Sequence, residues 1–421
     1  MSLIDDCYQK AIEIMKINST ESGFLASRGR NNDIWCRDDS MICLGVMLTG
    51  DDELLDTAKR SLITLKERQT PLGQLPNVVY LDTTRVNYYA VDATAWWIIA
   101  VESLWHMTGD TEFFNAFRPA VEKAIVWLQY QTIDQSDLII SPPAADWMDS
   151  SVQRWSKVFY NNVLYYKAIL SANEVVGDIY WGKPVIADKI KTWINLLFWP
   201  TEMVQDWVSG WGSQFYEEAI DPNREHYLNY LSFESYDTHC DVLANCLAIT
   251  WDIANQERRN KILNYFYERR LSEPFPIQVL SPPFFQASPG WNPKIDLYRP
   301  TFGRSLPYWY HNGGIWPWVG GLYIAALVKA GQQSWAEKEL ERLAEANRAG
   351  AEGEWEFNEW LHGKKGTPMG EPLQTWNAAG YIIAYKAVTE GIFPWHTTGQ
   401  LDRRVFHPQP SLTGTREQIL K

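Results

Sequence analysis

The chain has 421 residues, 46% of them hydrophobic, so it can bury a sizeable core, and no change in composition divides it into separate domains. Its formal net charge of −13 argues against nucleic acid or an anionic membrane as a partner, because phosphates repel an acidic surface. No run approaches the ~20 apolar residues of a membrane helix. The N-terminus does not resemble a signal peptide, and the five scattered cysteines suggest no disulfide framework, so we expect a cytoplasmic protein.

Helical periodicity dominates the chain, with apolar residues at spacings of three and four, as from Phe113 to Leu128. Asp110 is expected to cap a helix start, Gly109 to follow a helix end, and Ser334 with Glu337 to form a capping box. The pattern predicts about a dozen helices, near residues 3–16, 38–48, 53–68, 92–107, 112–131, 159–175, 183–197, 239–254, 257–270, 316–330, 335–347 and 374–389.

Strand alternation is lacking between these helices, apart from a hairpin allowed within 199–236 or 276–310. Three fold classes are compatible with these helices: a solenoid, a large bundle and a toroid of paired helices. A solenoid would show a fixed sequence repeat, and none is found. We expect one domain, with a core of about 1–392 and a C-terminal tail of 393–421. Loops of unequal length hold the unusual residues, which suits a toroid with a site at one end. These loops are Arg28 to Asp39, Gln69 to Thr84, Ser141 to Lys157, Ser281 to Ile315 and Gly350 to Leu373.

Aromatic residues are frequent, with 22 tryptophans and 21 tyrosines. These side chains fill cores, but they also present an apolar face with a polar edge, which matches the C–H face and hydroxyl rim of a sugar ring. The composition therefore suits either a packed core or a carbohydrate site.

Trp35, Arg37, Asp38 and Asp39 stand together at the start of the second predicted helix. In an ordinary structural role the aspartates cap the helix and Arg37 pairs with one of them. In a functional role a carboxylate beside a guanidinium and an indole binds sugar hydroxyls through charge-assisted hydrogen bonds. The residues alone leave both interpretations open.

Asp146, Trp147 and Asp149 follow the rigid turn Ser141-Pro142-Pro143 and precede a helix. They could form an ordinary polar loop with one capping aspartate. They could also hold a general acid against apolar neighbours, which would raise the pKa of its carboxyl.

His311, Asn312 and Trp316 surround a Gly-Gly pair at another helix start. This segment could be an aromatic helix entry packed in the core, or one wall of a sugar pocket with His311 and Asn312 as hydrogen-bonding groups. Glu359 lies in a separate acidic stretch, but Phe357 and Trp360 flank it. A carboxylate among large apolar residues is costly unless it has a role or a partner, which favours a functional Glu359.

Other chemistries have little support in the sequence. It contains no H-E-x-x-H, Walker, G-x-G-x-x-G or G-x-S-x-G motif, and the seven histidines show no metal-ligand spacing. We therefore expect no metal and no organic cofactor. Paired carboxylates, the usual apparatus of glycoside hydrolysis, remain the most available chemistry.

These segments, in this order, resemble those of the (α/α)6-barrel inverting glycosidases, which include the glucosidase domain of glycogen debranching enzymes, neutral invertases, and mannosylglycerate and glucosylglycerate hydrolases. The resemblance extends over residues of about 30 to 390. The matching motifs are W-x-R-D at Trp35 to Asp38, W-M-D at Trp147 to Asp149, an aromatic helix at Phe159 to Tyr166, H-N-G-x-x-W-P at His311 to Pro317, E-x-x-x-G at Glu359 to Gly363, and Q-x-W at Gln374 to Trp376.

The resemblance implies an all-α (α/α)6 barrel and an inverting hydrolase that removes a terminal, α-glucosidic sugar from an oligosaccharide or a small glucoside. Asp149 would be the general acid, with Asp146 in reserve, and Glu359 the general base. It implies no nucleic-acid or membrane partner and leaves the oligomeric state open. The residues expected to position the sugar are Trp35, Arg37, Asp38, Trp147, His311, Asn312, Trp316, Gln374 and Trp376.

Three alternatives stay open. On the same fold, the substrate could be sucrose or a small solute such as glucosylglycerate. A sugar epimerase would use histidine pairs as acid and base, and the dispersed histidines count against it. A non-catalytic carbohydrate-binding protein would have no need of both candidate carboxylates.

Overall fold

The computed structural model describes residues 2–83, 85–134, 136–149, 152, 154–176, 184–202, 212–288, 291 and 306–395. Most of the expected tail 393–421 and much of the loop Ser281 to Ile315 lie outside the described residues.

Thirteen α-helices lie within this part of the chain. They are α1 (Leu3–Asn18), α2 (Cys36–Val46), α3 (Asp52–Glu67), α4 (Asp92–Thr108), α5 (Thr111–Gln129), α6 (Phe159–Val176), α7 (Pro184–Leu197), α8 (Gly212–Glu218), α9 (Val242–Thr250), α10 (Gln256–Glu268), α11 (Pro317–Lys329), α12 (Gln333–Arg348) and α13 (Thr375–Glu390). The twelve predicted helices are all present, and the short α8 was not predicted.

Helix ends follow the expected chemistry with one exception. The Asp110 side chain accepts a hydrogen bond from the Phe113 amide, and Gly109 ends α4 in the left-handed conformation with φ of 67°. The predicted capping box of Ser334 and Glu337 is wrong. Helix α12 begins two residues earlier than predicted, with Gln332 at the cap, so Ser334 already lies inside the first turn.

Six helices form a closed ring: α2 packs against α4, α4 against α6, α6 against α9, α9 against α11, α11 against α13, and α13 against α2. The helices α1, α3, α5, α7, α10 and α12 alternate with them along the chain. Those six pack outside, as α3 does against α2 and α12 against α11 and α13. This is the (α/α)6 barrel that the resemblance implied, and the toroid is confirmed.

Burial explains which helices form the ring. Every residue of α2 and α9 is buried, and so is α11 from Pro317 to Leu327, because these helices meet protein on all sides. The outer helices α3 and α12 bury one apolar face and expose charged residues on the other. No helix among the described residues is long and apolar enough to cross a membrane.

Twelve two-residue strands pair antiparallel in five small sheets within the described chain. They are β1 (Ser19–Thr20), β2 (Gly23–Phe24), β3 (Ile34–Trp35), β4 (Val78–Val79), β5 (Val86–Asn87), β6 (Lys157–Val158), β7 (Tyr230–Leu231), β8 (Tyr236–Asp237), β9 (Cys240–Asp241), β10 (Leu280–Ser281), β11 (Trp360–Leu361) and β12 (Pro368–Met369). The hairpin β7–β8 falls at the end of the first window in which one was expected, whereas β10 pairs with β9.

The strands mark one end of the barrel. Strand β3 leads directly into α2, β6 into α6 and β9 into α9, and the hairpin β11–β12 precedes α13. The segments that enter the ring helices at their N-termini therefore gather at the same end. These are the long loops that the sequence singled out, so the fold brings their polar and aromatic residues together.

Candidate active site

A cavity of about 410 Å³ opens at this end of the barrel, within the usual size range of a small-ligand pocket. Its wall comes from every loop that the sequence singled out except Gln69 to Thr84. The lining residues are Ala26, Arg30, Asn31, Trp35, Arg37, Asp38, Trp147, Asp149, Trp309, Tyr310, His311, Trp316, Glu359, Trp360, Met369, Gly370, Glu371, Gln374 and Trp376.

All the predicted site residues line this cavity except Asn312. The Asn312 side chain is engaged elsewhere: its Oδ1 accepts from the Phe284 amide at 2.6 Å, and its Nδ2 donates to the Phe284 carbonyl at 2.9 Å. Asn312 thus ties together the two ends of the loop Ser281 to Ile315, and its contact with sugar stays a prediction.

Several lining residues were not predicted, among them Arg30, Tyr310 and Glu371. Arg30 lies in the loop Arg28 to Asp39, and Tyr310 directly precedes the motif that begins at His311. Their positions in the sequence could therefore have identified them as candidate site residues. Glu371 lies in the marked loop Gly350 to Leu373, after strand β12, but belongs to no motif. Only the pairing of β11 with β12 brings it beside Glu359.

The Glu359 carboxylate is nearly enclosed, with 9% of the residue exposed. Its Oε2 accepts from the Glu371 amide at 3.3 Å, and its Oε1 accepts from the Tyr310 hydroxyl at 3.5 Å. Gly370 lies against it, since a Cβ at Gly370 would stand 2.4 Å from Oε2. The turn after β12 therefore fixes one oxygen of this carboxylate.

Asp149 lies on the same cavity wall but is exposed to solvent. The expected enclosure by apolar neighbours is therefore not seen. Asp146 is buried away from the cavity, with Oδ2 and Oδ1 accepting from Arg154 Nε and Nη2 at 2.9 and 2.8 Å. Because Arg154 engages both of its oxygens outside the cavity lining, Asp146 is poorly placed to reach a bound sugar as the acid.

Arg154 joins this loop to the barrel. Besides Asp146, its guanidinium donates to Asn229 Oδ1 at 3.1 Å and to Asp241, the residue that caps α9. Arg154 and its two aspartate partners are each at most 2% exposed. Both ends of the segment that carries Asp149 are thus anchored by one buried network.

Arg37 forms its ion pair with Asp92 on α4, not with Asp38 or Asp39 as one interpretation of the sequence had it. Arg37 Nε and Nη2 donate to the two Asp92 oxygens at 2.6 and 3.0 Å. Neither aspartate caps a helix, since α2 begins before them at Cys36. Asp39 instead accepts from the Phe24 amide at 3.3 Å.

Asp38 lies on the cavity wall with 6% of the residue exposed. Burial raises the pKa of its carboxyl to about 7; the Arg37 charge opposes the rise and nearby Glu359 adds to it. Near neutral pH this side chain can therefore either donate or accept a hydrogen bond.

Indole rings form much of the remaining wall. Trp147 meets Trp316 edge to face at a centroid distance of 5.8 Å, and His311 stacks on Trp316 at 5.0 Å. The indole nitrogens of Trp35, Trp147 and Trp376 and Nε2 of Gln374 are buried without a hydrogen-bond partner among the described residues. Unsatisfied buried donors cost about 1–3 kcal/mol each.

The wall thus combines carboxylates, unpaired donors and flat apolar rings. Within the described chain, no group of three or more His, Cys, Asp or Glu residues is placed to hold a metal ion.

A family model described as amylo-alpha-1,6-glucosidase matches residues 13–382, most of the chain. The chain belongs to the amylo-alpha-1,6-glucosidase family. This family is one of glycoside hydrolases, and the resemblance drawn from the motifs is confirmed.

Relatives of this family member include plant invertases. Probable alkaline/neutral invertase F of Arabidopsis thaliana is 24% identical over 332 residues, which cover 70% of this chain and 63% of that protein. Probable alkaline/neutral invertase D of the same plant is 29% identical over 168 residues, or 38% of this chain and 29% of that protein. The chain spans less than two thirds of the length of the curated relatives it matches.

Solved structures share the fold of this amylo-alpha-1,6-glucosidase family member. A GH63 mannosylglycerate hydrolase from Thermus thermophilus, in complex with Tris and D-glycerate, superposes with a TM-score of 0.66 at 14% identity, covering 89% of this chain and 99% of that one. A bacterial glucoamylase complexed with acarbose gives a TM-score of 0.62 at 14% identity, covering 92% and 56%.

Proposed function

We propose that the protein hydrolyses a terminal, α-glucosidic bond with inversion, with Asp149 as general acid and Glu359 as general base. The supporting observation is that both carboxylates, 210 positions apart (359 − 149), line one cavity in a glycoside hydrolase family fold. The two carboxyl groups should stand about 6.5–9.5 Å apart when a substrate and a water molecule lie between them.

The environments of the two carboxylates support this division of roles. Glu359 is nearly enclosed, and the two hydrogen bonds that it accepts hold its carboxyl group at the cavity wall, where it could take a proton from a water molecule. Asp149 is exposed to solvent. A bound sugar would displace water from it, raise the pKa of its carboxyl and favour the protonated form that donates to the glycosidic oxygen.

The buried floor of the cavity suits a sugar ring. Asp38 and Arg37 offer charged hydrogen-bonding groups, and Gln374 an unpaired donor, next to the faces of Trp147 and Trp316. As the glycosidic bond breaks, the proton moves from Asp149 to the departing oxygen. Glu359 takes a proton from the water that attacks the opposite face of the anomeric carbon, so the configuration inverts.

Substitution of the two carboxylates tests the proposal. Asp149→Asn and Glu359→Gln should each lower kcat by about 10²–10⁴-fold, the usual contribution of general acid–base catalysis. Glu354→Gln is the matched control, since Glu354 is exposed in the same loop as Glu359 and does not line the cavity. Circular dichroism and the melting temperature would show whether the variants fold.

Product analysis tests the stereochemistry. NMR of the first released sugar should show the inverted anomer, and initial release of the retained anomer would refute the mechanism. Maltose, isomaltose, sucrose and trehalose form the first substrate panel. Sucrose is the second candidate substrate because the curated relatives are named as invertases.

A further inference from the structure

The exposure of the cavity residues indicates which way a substrate would point. Arg37, Asp38 and Gln374 are each at most 6% exposed and form the floor. Asp149 is exposed, and the Arg30 and Glu371 side chains are 86% and 22% exposed, so these three form the rim. With the sugar on the floor, the leaving group, or aglycone, would project towards the rim.

The ionisable groups on the described wall are mostly acidic. Four carboxyl groups, those of Asp38, Asp149, Glu359 and Glu371, face two guanidinium groups, those of Arg30 and Arg37. Asp92 lies behind the wall and balances Arg37 through two hydrogen bonds. Among the described lining residues, Arg30 therefore carries the guanidinium that could attract an anionic leaving group.

Glu371 engages Arg30. Its Oε1 lies 3.3 Å from Arg30 Nε, and its Oε2 accepts from the Arg30 backbone amide at 3.4 Å. The carboxylate rests directly on the backbone of this loop, since a Cβ at Gly29 would stand 2.2 Å from Oε2. The backbone amide of Glu371 also donates a hydrogen bond to the Glu359 carboxylate. Glu371 thus links the rim cation to the proposed base.

We propose that the cavity selects substrates with an uncharged aglycone, and that Glu371 enforces this selection by neutralising Arg30. The inference rests on the proposed hydrolase function and deepens it. Because Glu371 and Arg30 neutralise each other, a carboxylate at the rim would gain no attraction from Arg30 and would meet the charge of Glu359 below it. Like charges brought together suppress binding of the wrong ligand.

A matched pair of substrates measures this selection. α-Glucosylglycerol and α-glucosylglycerate carry the same sugar and differ at one carbon of the aglycone, which bears a hydroxyl in one and a carboxylate in the other. For the unmodified protein, kcat/KM should favour the neutral compound by about 100-fold at low ionic strength. Because the discrimination is electrostatic, 1 M salt should reduce it.

The variant Glu371→Gln removes the negative charge and keeps the backbone amide that contacts Glu359. It should release Arg30 and reduce the preference for the neutral compound by about 10-fold, mainly through a lower KM for the anion. The double variant Glu371→Gln/Arg30→Gln should no longer show the lower KM for the anionic compound. Glu354→Gln, which removes an exposed charge outside the cavity, should leave the ratio unchanged.

The outcomes separate the two proposals. Equal or faster hydrolysis of the anionic compound by the unmodified protein overturns the charge selection but leaves the hydrolase intact. A preference that Glu371→Gln does not alter overturns the role of Glu371. Absence of hydrolysis of both compounds and of every neutral disaccharide in the panel refutes the proposed function itself.

Discussion

Replacement of Arg154 by methionine tests how the loop carrying Asp149 is held. The change removes the guanidinium and keeps a similar apolar length, so Asp146 and Asp241 stay buried without their counter-charge. Removing one partner of a buried ion pair typically costs about 3–5 kcal/mol. With an unfolding entropy of about 2.1 cal/mol/K per residue over 421 residues, 4 kcal/mol corresponds to a fall in Tm of about 4–5 °C.

The loss should depend on pH in a defined direction. Burial raises the pKa of Asp241 above its ordinary value, and Arg154 opposes that rise. Without Arg154, the pKa of Asp241 in the folded state moves further above its value of about 3.9 in the unfolded state. At pH values between these two pKa values, the folded state then binds more protons than the unfolded state. Stability of the variant should therefore fall as pH rises through this window, and its deficit should shrink as pH falls.

Calorimetry from about pH 4 to pH 8 measures the change in stability, and steady-state kinetics measure the change in activity. Arg154→Met should also lower kcat, because both ends of the loop that carries Asp149 lose their anchor. Arg342→Met is the control: Arg342 pairs with Glu339 on α12, and neither lines the cavity, so stability should fall while kcat persists. A variant at Arg154 with unchanged Tm and kcat would refute the reasoning.

Two further substitutions probe the floor and the base. Because the pKa of Asp38 is about 7, kcat/KM should rise with pH around 7 as Asp38 ionises. The variant Asp38→Asn should lose this pH-dependent rise and lower kcat/KM by about 10–100-fold. If the rise persists in the variant, another group is responsible for it. Gly370→Ala, with φ of 76° and a Cβ 2.4 Å from Glu359 Oε2, should displace the base and lower kcat by about 100-fold. Gly331→Ala is the control, because Gly331 has a similar φ of 77° but its added Cβ would meet nothing within 4 Å, so kcat should not change. An equal loss of kcat in the Gly370 and Gly331 variants would exclude displacement of Glu359 as the cause.

The helices could be predicted from sequence because their information is local. Apolar spacing alone located twelve of them, and Asp110 and Gly109 marked their ends correctly. The prediction of a capping box at Ser334 failed because, in the sequence, a capping pattern two residues beyond the true cap looks the same as one at the helix start. The motifs also identified most of the residues that line the cavity, because they lie on the loops that enter the ring helices.

Long-range pairing was beyond the sequence. Arg37 binds Asp92, 55 positions away, and not the aspartate beside it. Asn312 binds the Phe284 backbone, and Glu371 reaches Glu359 through the pairing of β11 with β12. In each case the partner is set by the closed ring and its loops. Residue type shows that a side chain needs a partner, but not which one it finds.

The closure of the ring has a consequence for biosynthesis. Helix α2 is buried on every side, and one of its neighbours, α13, is made more than 300 residues later. Until α13 has left the ribosome, the flank of α2 that it will cover is exposed to other chains. Such distant contacts slow folding and leave apolar surface open to aggregation. Synthesis at lower temperature or with extra chaperone should therefore raise the yield of folded protein more than any change to the surface of α3 or α12.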